Sequence, residues 1–394
     1  MNKIKMTKQE AREYMVKYHM INTNNHLKGM DGVHTVFDRL KSIQYDPLNV
    51  VGTNSELVLQ SRISGFRKEL LDQALYRDRF LIDAWDKQMS IFQTEDFPLM
   101  ARIRKHRGEL EIYALKYRLQ LDAMSYIDEV LDIIKEKGPV FAKDISIGDS
   151  IKHRWGQTKP SSATLDYLFQ IGKIGIYNKK NTMKQYDLIE RLIQHHDQED
   201  EFKDDESFIE YYLLRRIKSM GLVSNKSGVH FSGLNIEKKE NRAHYLQNLI
   251  QKGIITEIEI EELKEKYYAL TELLQPTNEI SDSVSFLAPL DNMIWDRKLL
   301  KDLFDFEYTW EVYTPKIKHK YGYYVLPMLY GCQFVGRIEF EIQRNSDPLI
   351  IKNIWFEENF KRSKKFEMEF EKALIKFSKY LGAKEVIQLE YNKK

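Results

Sequence analysis

A carboxamide and a carboxylate stand two residues apart in the segment SIQYDPLNVV, residues 42–51. Pro47 disfavours the α conformation for the residue before it, so Asp46 is predicted to be extended. Residues i and i+2 of an extended segment point to one face, which would place Gln44 and Asp46 side by side and direct Ile43 and Tyr45 into a core. The pattern also suits a half-buried strand that ends in an Asp-Pro turn, so both interpretations remain open at this point.

Other residue types that do chemistry form no recognisable pattern. His195 and His196 are adjacent and therefore point to different faces, and no further ligands follow at a known spacing. Cys332 is the single cysteine, which excludes an internal disulfide or a multi-thiolate metal site. No serine nucleophile motif is visible, and residues 172–175 lack the pattern of a phosphate loop. We expect neither a metal nor a cofactor, so a carboxylate acting alone is the remaining enzymatic interpretation.

Length and charge limit the class of protein. The 394 residues are 42% hydrophobic, enough for several domains with proper cores. We find no signal-peptide pattern and no apolar run long enough to span a bilayer, so we expect a soluble cytoplasmic protein without a membrane partner. The net charge of +2, from 61 basic and 59 acidic residues, does not by itself indicate a nucleic-acid partner. Basic clusters nevertheless occur at 102–107, 179–180, 316–320 and 361–365.

Three copies of one pattern follow each other along the chain: an apolar-periodic helix, a Gly or polar break, and a short β-branched run. The copies begin near Val36, Tyr167 and Asn248, each with a further helix upstream. Helix, turn, helix and a two-stranded hairpin outline a winged helix. We therefore predict three tandem winged-helix units; a generic mixed α/β protein with helices before hairpins remains the alternative.

The character of the chain changes at about residue 284. Aromatic, strand-like segments at 308–313, 323–329, 334–342 and 349–356 precede an amphipathic helix at about 360–381. The predicted fold class is therefore α+β, with a β-rich C-terminal domain that carries one packing helix. The predicted domains are 1–120 for the first unit with Gln44 and Asp46, 121–196 for the second, 197–283 for the third and 284–394 for the β-rich domain.

Cap and turn residues predict where several of these elements end. Thr7 and Glu10 have the capping-box pattern at the start of the first helix. We expect Gly138 and Gly221 to end the helices upstream of the second and third copies, and Gly382 to end the C-terminal helix. Residues 178–181 have turn composition.

Several long motifs resemble one known family. They are SIQYDPLNVV, LVLQSRI from Leu57, QIGKI and QYDL in the second unit, FLAPLDNMIWDRKLLKDLFDFEY from Phe286, and YTPKIKHKYGYYVLPMLYG from Tyr313. Over almost its whole length the sequence resembles the winged-helix DNA glycosylases of the AlkZ/AlkX type, and most closely the YcaQ-like branch.

The resemblance implies a DNA repair enzyme that hydrolyses the glycosidic bond of cationic alkylated purines, including interstrand crosslinks. The family's catalytic Gln-apolar-Gln/Asp signature falls on Gln44, Tyr45 and Asp46. Asp46 would stabilise the oxocarbenium-like state and activate water, and Gln44 would orient that water. The expected partner is double-stranded, damaged DNA, bound by a monomer in the bacterial nucleoid. Its phosphates are expected to contact Lys316, Lys318, His319, Lys320, Arg62, Lys179 and Lys180.

The sequence departs from the family at two places and leaves other functions open. Lys87 and Gln88 stand where members carry a His-Glu pair, and Gln185 stands where an arginine is common. A different substrate range is one consequence to expect. A non-catalytic winged-helix regulator, or an inactive scaffold in a repair complex, remains the alternative, because most winged-helix proteins read sequence without chemistry.

Overall fold

The computed structural model describes residues 4–24, 26–147, 151–153, 156–198, 200–344 and 346–388. Within them the chain mixes helices and strands, which confirms the α+β class. It forms two compact units, Met1–Leu71 with Asp204–Lys394, and Asp72–Lys203. This division rests on contacts between residues and does not separate the three predicted winged-helix units from one another. The four predicted domain ranges therefore stay predictions.

Helices α1 to α12 carry much of the described chain, and none of them is long and apolar enough to cross a membrane. In chain order they are Lys8–Tyr18, Gly29–Leu40, Asn54–Gln60, Lys68–Tyr76, Ala101–Tyr117, Ile127–Lys137, Pro160–Gln170, Ile189–Leu192, Asp205–Met220, Lys239–Gln251, Arg297–Phe304 and Lys364–Leu381.

The strands β1 to β19 are short. In chain order they are Ile4–Met6, Leu27–Lys28, Ser42–Gln44, Ile63–Ser64, Leu81–Trp85, Met89–Gln93, Val140–Phe141, Ile151–His153, Gly156–Thr158, Ile174–Lys180, Met183–Leu188, Val223–Ser224, Ile255–Ile260, Lys266–Leu270, Val284–Phe286, Val325–Tyr330, Gln333–Phe340, Leu349–Phe356 and Val386–Gln388.

Local signals place several helix ends where the sequence predicts them. Thr7 and Glu10 form the expected capping box at the start of α1. Helix α6 stops at Gly138 and α9 at Gly221, both with positive φ, and Gly382 closes α12 in the left-handed conformation. These ends depend on contacts within one turn of the chain.

The larger unit contains two sheets of four and five strands, besides the short parallel pair of β2 and β4. One has the order β1-β13-β14-β12, with β1 parallel to β13 and the other pairs antiparallel. The other has the order β15-β16-β17-β18-β19, antiparallel except for the final pair. Helix α12 packs on this second sheet through Phe377, whose ring lies 5.3 Å from that of Phe286 and 5.2 Å from that of Phe340.

The strand predicted at 308–313 is wrong. This segment contains a loop and a 3₁₀ turn, Glu311–Tyr313. Tyr308 is buried and its hydroxyl donates to the Val325 carbonyl at 2.7 Å, while Glu311 accepts three backbone N–H groups from further along the chain. The alternating residues of this segment are therefore explained by the packing of Tyr308 in the core and by the backbone amides that Glu311 caps, and not by pairing in a sheet.

The smaller unit packs α6 and α7 against the antiparallel sheet β10-β11-β7. Ile134, Leu168 and Tyr186 are buried in its core. The turn predicted at 178–181 is displaced, because β10 continues to Lys180 with an irregular register between Ile176 and Asn178. A second hairpin, β5 with β6, belongs to the same unit.

Candidate active site

The Gln44–Asp46 segment leaves a buried strand and enters an extended loop. Strand β3 ends at Gln44, and Ile43 in the middle of it is wholly buried. Asp46 is only 9% exposed, and the Leu48 amide donates to its Oδ1 at 2.9 Å. Among the described residues no hydrogen bond reaches Asp46 Oδ2. One carboxylate oxygen therefore closes the Asp-Pro turn, and the other remains available for a ligand.

Two asparagine side chains hold the carbonyl groups of β3. The Asn292 carboxamide donates to the Ser42 carbonyl at 2.9 Å, and the Asn54 carboxamide donates to the Gln44 carbonyl at 2.7 Å. Asn54 Oδ1 in turn accepts the Leu290 amide at 3.0 Å. The backbone on both sides of Ile43 is thus fixed by side chains 10 and 250 positions away along the chain. Neither asparagine was predicted from the sequence. In the sequence, only the family motifs that contain or flank these two asparagines point to them.

The loop after Asp46 is locked by the start of α3 and by α12. Asn49 Oδ1 accepts the Gly52 amide at 3.0 Å, and Glu56 accepts the Thr53 amide at 2.8 Å in a capping box. The Tyr380 hydroxyl donates to Glu56 at 3.4 Å. Gly52 has a φ of +105°, and an added Cβ there would overlap the Tyr380 hydroxyl. The loop geometry therefore requires glycine at this position.

Burial sets the electrostatics of the carboxylate. It raises the pKa of Asp46 above the ordinary value, and the Leu48 hydrogen bond offsets part of that rise. Burial also raises the pKa of Tyr324 well above its ordinary range, with the charge of Asp46 among the smaller causes. The pKa of the exposed Tyr313 is raised by partial desolvation and then by Asp46. Asp46 thus lies within electrostatic range of two neutral phenols, one buried and one accessible.

Gln44 carries an unsatisfied acceptor. Its Oε1 is buried and receives no hydrogen bond from a described residue. Leaving a buried acceptor unpaired costs about 1–3 kcal/mol. A donor brought by a water molecule or a substrate would remove that cost. The expectation that Gln44 and Asp46 share one face stays a prediction.

The basic residues of the 316–320 stretch lie on a loop of the same unit. Lys316, Lys318 and Lys320 are exposed, and none forms an ion pair with a described carboxylate. His319 is half-buried, and its Nε2 lies 2.8 Å from the Thr314 carbonyl oxygen. The three lysines are therefore accessible to an anionic partner, whereas His319 is a part of the loop's own scaffold.

Arg62 lies in the core and is not retained among the proposed DNA contacts. Its guanidinium forms a bidentate ion pair with Asp291, with both N–O distances at 2.8 Å and both side chains wholly buried. It also donates to the His19 and Val58 carbonyls. Because the guanidinium is buried and paired, a phosphate could not replace Asp291 without exposing an unpaired charge. No local pattern indicates this pairing, because the partners are 229 residues apart along the chain.

Lys179 and Lys180 belong to the smaller unit and differ from each other. Lys179 is nearly buried and its Nζ lies 2.6 Å from Asp83 Oδ1, so it is already paired with a carboxylate. Lys180 is exposed.

Lys87 and Gln88 lie in the turn between β5 and β6, where the Gln88 carbonyl accepts the Asp86 amide at 3.0 Å. Within the part of the chain that the structure describes, no three His, Cys, Asp or Glu side chains are grouped to hold a metal ion.

A carboxamide and a nearly buried carboxylate thus lie at the end of strand β3 in an α+β chain. The sequence model of the DNA glycosylase AlkZ-like family matches residues 37–379. The chain therefore belongs to this family of DNA glycosylases, which confirms the resemblance seen in the sequence; the YcaQ-like branch stays a prediction. The match includes Gln44, Asp46 and the lysines of the 316–320 loop.

A solved structure shares the fold. The DNA glycosylase AlkZ of Streptomyces sahachiroi superposes with a TM-score of 0.65, over 98% of this chain and 100% of that one. Only 12% of residues are identical. The likeness extends over both chains as a whole, so the fold is common to both.

Proposed function

We propose that this protein is a monofunctional DNA repair glycosylase that removes cationic alkylated purines from double-stranded DNA, including purines joined in interstrand crosslinks. The observation that carries the proposal is the state of Asp46. Its carboxylate is nearly buried, has a raised pKa, and keeps one oxygen free of hydrogen bonds from described residues. Family membership supports DNA as the partner.

The chemistry follows from the charge of the lesion. An alkyl group on a purine ring nitrogen makes the base cationic, so the base leaves with the electron pair of the C1′–N bond and becomes neutral. The sugar passes through an oxocarbenium-like state that a nearby carboxylate stabilises. Water then adds to C1′, and Asp46 Oδ2 accepts its proton. The products are the free base and an abasic site.

Gln44 would position the attacking water. Its buried Oε1 lacks a donor among the described residues, so a water O–H directed at it gains a hydrogen bond otherwise missing. The rigid backbone, held by Asn54 and Asn292, fixes the distance between this acceptor and Asp46. Such fixed placement lowers the entropic cost of reaching the reactive geometry.

The proposed architecture is three tandem winged-helix units followed by a β-rich domain. The packing of α6 and α7 on the β10-β11-β7 sheet supports the second unit. A crosslinked base is tied to the opposite strand and cannot rotate freely into a deep pocket, so an open site at the end of a strand suits it. Lys316, Lys318 and Lys320 are the proposed phosphate contacts, with Lys180 as a further one.

The test is single-turnover release of 7-methylguanine from a DNA duplex by the Asp46→Asn variant. Asparagine can still accept the Leu48 amide, so the turn is kept and only the charge is lost. We expect the rate to fall about 10²-fold or more, since the lost contact acts in the transition state, with DNA affinity nearly unchanged. Gln44→Ala should cost less.

Abasic sites are detected by alkaline strand cleavage, and a thermal melt confirms folding. A folded Asp46→Asn protein that excises like the wild type would reduce Asp46 to a turn residue. Wild-type protein that binds DNA in a sequence-dependent manner and yields no abasic sites would instead indicate a regulator.

A further inference from the structure

Ile317 is the most exposed large apolar side chain among the described residues, at 94%. It lies in the 3₁₀ turn Lys316–Lys318, between two exposed lysines. Single exposed apolar residues are common on protein surfaces and need no explanation alone. Here, however, the same loop also presents Tyr313, which is 81% exposed, so its outer surface is apolar and cationic at once.

The loop around Ile317 is rigid. The Glu311 carboxylate accepts the amides of Lys320, Tyr321 and Gly322 at 2.8–3.0 Å, which closes the base of the loop. The Lys318 amide donates to the Pro315 carbonyl at 2.8 Å within the turn. The tip is therefore presented by a fixed scaffold, and little conformational entropy remains to be lost on binding.

The loop begins within electrostatic range of the candidate catalytic residue. The charge of Asp46 acts on Tyr313, whose ring also packs edge-on against Trp310 at 5.7 Å. Ile317 follows Tyr313 by four residues, a separation that a chain spans in at most ~14 Å. Since bases along one DNA strand are spaced about 3.4 Å apart, Ile317 lies within roughly four base steps of Tyr313, which is itself within electrostatic range of Asp46.

We propose that Ile317 is a wedge that inserts between stacked base pairs next to the damaged nucleotide, with Lys316 and Lys318 bound to the flanking phosphates. The proposal rests on the proposed function, because it takes DNA as the ligand of this surface. Apolar side chains that enter base steps unstack and kink a duplex, and the protein gains contact area in return.

The wedge gives a route to a lesion that is tied to the opposite strand. Opening the base step beside the lesion exposes its sugar to Asp46 without complete rotation of the base out of the helix. Tyr313, which precedes the wedge in the same exposed loop, would cover the face of the base that the wedge unstacks. Aromatic rings stack on any base, so this contact does not demand a particular sequence.

The experiment uses a duplex with one 7-methylguanine and 2-aminopurine as the next base. The full-length protein carries Asp46→Asn to slow release. Binding should raise 2-aminopurine fluorescence, which reports unstacking. Ile317→Ala should remove most of this rise, and Ile317→Leu should retain it. Val229→Ala is the matched control, because Val229 is 72% exposed but lies outside the loop.

Two further readouts separate the wedge from other roles. With Asp46 intact, Ile317→Ala should slow single-turnover release roughly tenfold, since unstacking is costly without the wedge. The salt dependence of affinity should stay as in the wild type, because no charge changes. Unchanged fluorescence and unchanged release in Ile317→Ala would overturn the wedge. No release by wild-type protein would instead overturn the proposed function, so the two failures are distinguishable.

Discussion

At the scale of single residues, Asp46 meets the requirements of two roles, turn capping and the proposed catalysis. Its Oδ1 closes a turn with Leu48, as any Asp-Pro segment can, and the same turn holds the carboxylate in a nearly buried position. Burial disfavours the charged form, which makes the group a stronger base once it is ionised. The turn-capping interpretation and the catalytic one are thus compatible in one side chain.

The raised pKa of Asp46 has consequences for pH dependence. The proposed mechanism requires the ionised carboxylate, so the excision rate should rise with pH and level off above the raised pKa. In the folded state the group binds its proton more tightly than in the unfolded chain. Stability contributed by Asp46 therefore falls as pH rises from the unfolded pKa through the folded one.

Asp46→Asn removes this cost, so at neutral pH the variant should melt at the same temperature as the wild type or slightly higher. Below both pKa values the difference should shrink. Thermal melts of both proteins at acidic and neutral pH check the sign. A variant that is clearly less stable at neutral pH would show that the carboxylate stabilises the fold.

At the scale of elements, β3, the following loop and the start of α3 act as one scaffold. Asn292 and Asn54 fix the strand, and Tyr380 on α12 closes over Gly52 and Glu56. The contacts of Asn292 and Tyr380 join the first 60 residues to the last 110. The position of Asp46 therefore depends on the C-terminal sheet and its helix as much as on its own strand.

Gly52→Ala should disturb this scaffold, because the residue has positive φ and its Cβ would overlap the Tyr380 hydroxyl. We expect a loss of about 1–3 kcal/mol in the free energy of unfolding and slower excision. Gly65→Ala is the control, since Gly65 also has positive φ but has nothing within 4 Å of an added Cβ. Adding Tyr380→Phe to Gly52→Ala should recover part of the loss; no recovery would contradict the overlap as its cause. Denaturant unfolding and single-turnover release measure both effects.

At the scale of the molecule, the positions of the charged side chains matter more than the net charge. The chain is almost neutral, with a net charge of +2, and several cations are already paired inside it, Arg62 and Lys179 among them. Affinity for DNA must then come from exposed cations that no carboxylate pairs. The lysines of the 316–320 loop meet that requirement.

Replacing Lys316, Lys318 and Lys320 with glutamine should weaken DNA binding to a similar degree for different sequences. The slope of log affinity against log salt should shrink by about 3, one for each lost phosphate contact. Glutamine at Lys361, Lys364 and Lys379, which are exposed on or next to α12, changes the net charge equally and serves as the control. Fluorescence titrations over a range of salt measure the slope. Equal slopes in the two triple variants would place the loop away from DNA.

Much of the fold was predictable from the sequence because its signals are local. The capping box at Thr7, the glycines that end α6, α9 and α12, and strand β18 at 349–356 lie where the sequence predicts them. Each depends on residues within one turn or on alternation along a few residues. The family also followed from sequence, since its motifs are long.

Only the tertiary structure decided how the candidate site is held. It showed that Arg62 is paired within the core with Asp291, 229 residues away, and that 308–313 is not a strand. It also identified Asn54, Asn292 and Tyr380 as the residues that fix the Asp46 loop. The physical reason is the same in each case. Burial and hydrogen-bond partners depend on which distant segments meet, and periodicity along the chain carries no information about that meeting.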